Sequence, residues 1–133
     1  MAALTADRNT PRREGDSYSD PVAAATTIYA GSLVCLDASG NLVPGSVATT
    51  LIARGRAEEQ VDNSAGSAGD KLCVSRKGIF KFANDGTIDR ANIGDTAYIV
   101  DDQTVADNNG TSTRSAAGTI VQVDSDGVWI SIA

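Results

Sequence analysis

The 133-residue sequence contains no histidine. Histidine is the commonest general base in enzymes and a frequent metal ligand, so its absence excludes Ser-His and Cys-His nucleophiles and most zinc sites. The two cysteines, Cys35 and Cys73, are too few for a disulfide scaffold, and they lie in apolar segments where buried, inert thiols are expected. Phosphate-binding and hydrolase glycine motifs are missing. The sequence therefore predicts no enzyme activity, no catalytic residue, no cofactor and no metal site.

Long apolar runs are also lacking, and aromatic residues make up only 5% of the chain. Nothing approaches the 18 or more apolar residues of a transmembrane helix, and residues 1–20 have no apolar core of the kind found in secretory signals. We therefore expect a soluble chain that is synthesised in a cytoplasm and has no membrane partner.

Clustered positive charge is missing as well. Residues 1–81 carry nine basic and nine acidic side chains, whereas residues 82–133 carry two basic and eight acidic ones, which gives the whole net charge of −6. Nucleic-acid binding requires clustered Lys and Arg to neutralise phosphates, so we expect no nucleic-acid partner.

The first twenty residues form a polar segment with seven charges and no apolar period. Such a segment cannot bury enough apolar surface to offset the entropy of ordering it, so we expect an extended arm that becomes ordered on a partner. Arg12 and Arg13 are a weak phosphate patch because Glu14 and Asp16 lie beside them, which favours a protein partner. The predicted organisation is an arm at residues 1–20 and one domain at residues 21–133.

Short apolar segments separated by turn-forming residues fill the rest of the chain, which is typical of strands. Strands are predicted at residues 22–28, 32–36, 42–43, 51–57, 71–83, 96–100, 119–123 and 128–133, with one helical turn at 89–94. Gly78 is expected to interrupt the 71–83 segment as a bulge or tight turn. The predicted fold class is all-β, a small β-barrel or sandwich of short strands with at most one helical turn, preceded by the extended arm.

In two of these segments, the alternation of apolar and polar residues predicts which side chains face the core and which face outwards. In residues 71–83, Leu72, Val74, Phe80 and Phe82 are expected inside. The opposite face would carry Lys71, Lys77 and Lys81, either solvated or against the acidic surface of a second copy. In the last hairpin Val128, Ile130 and Ile132 are expected inside and Trp129 outside, as a rim residue covered by a loop or as an interface anchor.

Carboxylates are the only remaining candidates for chemistry. Asp101 and Asp102 are adjacent and would point to opposite faces of a strand, which is wrong for an acid/base pair. Asp124-Ser125-Asp126-Gly127 resembles part of a calcium loop but lacks the glutamate six residues after the glycine. A hairpin turn is therefore the favoured interpretation.

Several segments taken in order resemble one protein family. They are ADRNTPRR at residues 6–13 with Gly15-Asp16, and the segments at residues 29–34, 53–57, 61–66, 93–105 and 117–129. Together they resemble the small capsid cement (head decoration) proteins of tailed phages. The resemblance implies a non-enzymatic homotrimer on the outer capsid surface of a virion, where it binds the major capsid protein. An N-terminal arm orders on the shell in proteins of this type; the matching positions here include Thr5, Arg8, Asn9, Thr10, Pro11, Arg12 and Arg13.

Two other interpretations stay open at this stage. One is a small β-barrel adaptor or head-completion module of the virion, which would be present in fewer copies. The other is a trimeric β-barrel enzyme with carboxylate-only chemistry, which the lack of a convergent carboxylate pair disfavours.

Overall fold

The computed structural model describes residues 2–11 and 15–133. The described chain contains twelve strands and one short 3₁₀ helix at Arg90–Asn92. The strands are β1 Ser17–Pro21, β2 Thr26–Ile28, β3 Leu33–Leu36, β4 Leu42–Pro44, β5 Ile52–Ala57, β6 Val61–Asn63, β7 Leu72–Arg76, β8 Gly78–Asn84, β9 Thr96–Ile99, β10 Thr104–Ala106, β11 Ala116–Asp124 and β12 Gly127–Ile132. The predicted all-β class with one helical turn is confirmed.

Five strands close into a barrel in the order β10-β8-β12-β11-β9, and five others form a sheet in the order β1-β7-β5-β3-β4. Strands β2 and β6 pair with each other as a separate two-stranded ribbon. A parallel bridge between Val22 and Leu42 links the two edges of the five-stranded sheet. The sheet therefore curls around its own interior, and Ile28 and Val61 of the ribbon belong to that interior.

Strand β3 lies between two apolar cores. Leu33 and Cys35 belong to the core of the closed barrel, whereas Val34 belongs to the core of the curled sheet, and all three are fully buried. Because successive side chains of a strand point to opposite faces, only a continuous apolar run can serve both cores. The Leu-Val-Cys-Leu sequence of β3 meets that requirement.

The folded domain begins at Ser17, four residues before the predicted boundary at residue 21. Residues Ser17–Pro21 pair antiparallel with β7 along their whole length. The sequence of β1 has no apolar alternation that would predict a strand, since its inward positions are Tyr18 and Asp20 instead of apolar residues. The next predicted strand, residues 22–28, is broken by a turn in which Ala25 has a φ of +54°.

The predicted inner face of residues 71–83 is wrong in its first half. In β7 the fully buried side chains are Cys73 and Ser75, while Leu72 is 58% exposed. In β8 the prediction is confirmed, with Phe82 buried and Phe80 half-buried. The inward side changes because β7 belongs to the curled sheet and β8 to the barrel; the chain passes between them at Gly78, whose φ is +151°.

Two local predictions are confirmed in detail. The 3₁₀ turn is capped by Asp89, whose carboxylate accepts a hydrogen bond from Ala91 N at 2.8 Å. In the closing hairpin Asp124 pairs with Gly127, and Val128, Ile130 and Ile132 are buried. No helix within the described part of the chain is long and apolar enough to cross a membrane.

We predict that Gly55→Ala destabilises the protein more than a substitution at an open glycine does. β5 bulges at this point, since Val34 pairs with Gly55 and Cys35 with Ala53, and an added Cβ would collide with the backbone carbonyl of Arg76. Gly40→Ala is the matched control, because Gly40 also has positive φ but no atom near an added Cβ. Urea unfolding should show a loss of about 1–2 kcal/mol for Gly40→Ala and clearly more for Gly55→Ala. Equal losses would contradict the close approach of β5 to β7.

Candidate partner-binding surfaces

The described part of the arm lies in solvent. Every residue from 2 to 11 is exposed, including the predicted partner-binding residues Thr5, Arg8, Asn9, Thr10 and Pro11. Hydrogen bonds here are local, with Thr10 N donating to Arg8 O and Arg8 Nη1 to Thr10 Oγ1, both at 2.9 Å. The other two predicted contacts, Arg12 and Arg13, lie outside the described residues.

The root of the arm is held firmly against the domain. Lys77 N donates to the carbonyl of Asp16 at 2.9 Å, and Arg76 Nη1 lies 3.3 Å from the Asp16 carboxylate. Strand pairing begins at the next residue, where Ser17 is opposite Arg76. The arm therefore leaves the domain at a fixed place, beside the point where the chain passes from β7 to β8.

A half-buried ion pair holds β1 in place. Arg54 donates from Nε and Nη2 to the two oxygens of Asp20, at 2.8 and 3.0 Å, and its guanidinium lies 3.6 Å from the ring centroid of Tyr18. Bidentate pairs of this kind are stronger and more directional than single contacts. Arg54 is the extra residue of the β5 bulge, which aims its side chain across the sheet at β1. This clamp was not predicted, because Tyr18 and Asp20 lie in a segment assigned to the arm.

Trp129 is half-buried on the outer face of the barrel, as its alternation predicted. Its Nε1 donates to the carboxylate of Asp124 at 2.8 Å, and Lys81 Nζ lies 5.8 Å from the ring centroid. The polar atom of the indole is therefore satisfied within the chain. What remains for a partner is the apolar surface of the ring.

The predicted basic face formed by three lysines is not present. Lys71 Nζ donates to the backbone carbonyl of Asp62, and Lys81 Nζ forms ion pairs with Asp126 and Asp124. Lys77 lies in the passage between β7 and β8. Because the chain changes sheets there, residues of one parity do not share a face along the whole segment.

An apolar groove of about 380 Å³ lies between β5 and the ends of β11 and β12. Its most prominent residue is Ile52, which is 65% exposed. Ser115 fixes one end, since Leu51 N donates to Ser115 Oγ at 3.1 Å and Ser115 Oγ donates to Ala48 O. Sequence alone gave no sign of this groove, because the alternation of β5 does not show which of its residues lie beyond the edge of the core. The groove is lined by residues Leu51, Ile52, Ala53, Ala116, Ala117, Gly118, Thr119, Ser131, Ile132 and Ala133.

Both cysteines are free and fully buried, as predicted. Burial raises the pKa of the Cys35 thiol to about 12. Burial, with the nearby charges of Glu59 and Asp20, raises the pKa of Cys73 to about 11. Both thiols are therefore protonated at neutral pH and poorly reactive.

Few other side chains in the part of the chain that the structure describes are candidates for catalysis or metal binding. No group of three His, Cys, Asp or Glu side chains there is arranged to hold a metal ion. Comparison with protein-family models, with curated proteins and with solved structures gave no match. The arm, the outer face of Trp129 and the groove are thus the surfaces from which a function has to be inferred.

We predict that the fluorescence of Trp129 follows the protonation of Asp124. The hydrogen bond from Trp129 is the first cause of the lowered pKa of Asp124, with Lys81 contributing. A lowered pKa in the folded state means that the carboxylate stabilises the fold above its unfolded pKa, and that this contribution is lost as the pH falls through the folded pKa. Trp129 is the single tryptophan, so its emission should change with a midpoint below the ordinary value of 3.8.

The control for this titration is a distant aspartate whose pKa is also lowered. Asp124→Asn should abolish the fluorescence transition, while Asp107→Asn should leave it intact, since Asp107 interacts with Asn108 and Thr87 instead. Circular dichroism would confirm that the chain stays folded over the range. A transition that persists in Asp124→Asn would contradict the assignment.

Proposed function

We propose that this chain is a non-enzymatic structural protein that binds the outer surface of a phage head and cements neighbouring major capsid subunits. The observation that carries the proposal is the arm, since residues 2–11 are exposed while the root at Asp16 and Ser17 is fixed on a rigid β-domain. An exposed segment on a fixed root is suited to binding a partner surface. The ordered resemblance to capsid cement proteins supports the major capsid protein as that surface.

The arm would bind mainly through its backbone. Thr10 precedes a proline and is therefore biased towards extended conformations, which are ready to pair with a strand of the shell. Arg8, Arg12 and Arg13 would pair with carboxylates of the capsid protein, but exposed ion pairs contribute only about 0–1 kcal/mol each. Most of the affinity therefore comes from backbone pairing and apolar contacts, and salt should weaken binding only modestly.

Repetition strengthens weak contacts of this kind. A shell presents many identical sites, and a homotrimer presents three arms at once, so the second and third contacts form at high effective concentration. We therefore propose that the protein acts as a homotrimer on the outside of the virion. The open surface of the half-buried Trp129 ring is a further proposed contact in this assembly, because tryptophan is enriched among residues that dominate interfaces.

We predict that deleting residues 1–13 leaves the fold intact and weakens attachment to capsids by at least about tenfold, which is about 1.4 kcal/mol. The fold survives because residues 2–11 are exposed and β1 starts at Ser17. The measurement is the occupancy of undecorated capsids at increasing protein concentration, with circular dichroism as the test of folding.

The control replaces residues 1–13 by a glycine-serine segment of equal length. This variant keeps the length and loses the sequence, so it should bind as weakly as the deletion. Equal occupancy for the deletion and the full-length protein would show that the arm takes no part in attachment.

A second variant tests the tryptophan. Trp129→Ala should reduce capsid occupancy or trimer formation by about tenfold or more, as expected for an interface anchor. Tyr29→Ala is the control, since Tyr29 is a more exposed aromatic residue that was not assigned to an interface. Identical effects of the two substitutions would show that Trp129 is only a rim residue.

A further inference from the structure

We infer that the apolar groove between β5, β11 and β12 is the docking site for Leu4 of a second copy of this chain. This inference rests on one part of the proposed function, namely that copies of the protein associate with each other. It adds the residues through which they do so: Leu4 of one copy and a groove on the next, which leaves Thr5 and the residues after it for the shell.

The groove has the chemistry of an acceptor for an aliphatic side chain. None of the side chains of its ten lining residues is charged, and alanine and glycine form much of its wall. Ile52 stands at its edge with 65% of its surface in solvent. At about 380 Å³ it has room for a leucine together with neighbouring small residues. Burying such a side chain is worth about 1.5–3 kcal/mol.

The arm carries the matching donor. Leu4 is 72% exposed and follows two alanines, which makes residues 2–4 the apolar end of an otherwise polar segment. Ala2 and Ala3 are exposed as well. Within one chain Leu4 and the groove are both open to solvent, so each is available to its counterpart on another copy.

The path of the chain allows the arm of one copy to reach the groove of another. The arm leaves the domain at Asp16, which is hydrogen-bonded to Lys77; the next residue, Gly78, pairs with Ile132 of the groove wall. The root of each arm thus lies close to its own groove. The twelve residues from Leu4 to Asp16 reach up to about 40 Å when extended, which is enough to reach the groove of an adjacent copy.

The contact also has the symmetry that a closed assembly needs. Donor and acceptor are different surfaces of the same chain, so each copy gives one arm and receives one. Contacts of this heterologous type close into rings when the rotation between copies allows it. A trimer would contain three identical arm-in-groove contacts.

Disulfide trapping between two variants tests the contact. One chain carries Leu4→Cys and the other Ile52→Cys; they are mixed without any capsid and oxidised mildly. The native thiols stay silent because Cys35 and Cys73 are fully buried and their pKa values are raised to about 12 and about 11. We expect a one-to-one heterodimer that forms at least about tenfold faster than in a mixture of Leu4→Cys with Leu72→Cys, whose residue 72 is similarly exposed but lies outside the groove.

Two results would overturn the inference. One is an equal rate of cross-linking to residues 52 and 72, which would mean that the arm has no preference for the groove. The other concerns a single chain that carries both Leu4→Cys and Ile52→Cys and is oxidised in a tenfold excess of wild-type protein. If an internal disulfide still forms, the groove is occupied by the arm of its own chain.

This test does not depend on attachment to the shell, because no capsid is present in the mixture. Failure of cross-linking with normal arm-dependent binding to capsids would reject only the arm-in-groove contact. Selective cross-linking by a protein that does not bind capsids would reject the proposed function and keep the contact.

Discussion

Strand β3 is buried on both of its faces, between the two apolar cores of the domain. Its residues Leu33, Val34 and Cys35 are fully buried and point alternately into two separate cores. The closed barrel and the curled sheet therefore share β3 as a wall. A polar residue at any of these three positions would be buried without a partner, which costs about 1–3 kcal/mol or more. The shared wall joins the two cores into one domain, to which the arm is attached at Asp16 and Ser17.

The hydrogen bonds between Arg8 and Thr10 are local, so the attachment of the arm to the domain depends on its root. The clamp of Arg54 on Asp20 and Tyr18 fixes β1 to β5, and the Lys77–Asp16 hydrogen bond fixes the residue before β1. In the proposed function, a bound arm would thus be tied directly to the β-sheet. The entropy lost when the arm orders would then be a main cost of binding, confined by the fixed root to the residues that make contact.

Sequence patterns correctly predicted the side-chain orientation in strands that have one buried face and one solvent-exposed face. In β12 the apolar Val128, Ile130 and Ile132 alternate with Trp129 and Ser131, so the faces were assigned correctly. The predictions for β1 and β7 were wrong for physical reasons. In β1, Asp20 is buried through an ion pair; after β7, the inward side of the chain switches at Gly78. Polarity correctly marked residues 2–11 as exposed, but it also assigned residues 17–20 to the arm, and these form β1. The groove was not identifiable from the sequence, because Ile52 becomes exposed only through the way β5 passes the ends of β11 and β12.

The proposed function requires that this domain sits on the outside of a capsid and is attached by its arm. The decisive measurement is a cryo-EM reconstruction of undecorated capsids incubated with the protein. We expect density for the β-domain on the outer surface at three-fold positions, with the arm ordered along a major capsid subunit. Capsids without external density, or with the domain bound while the arm stays away from the shell, would contradict it.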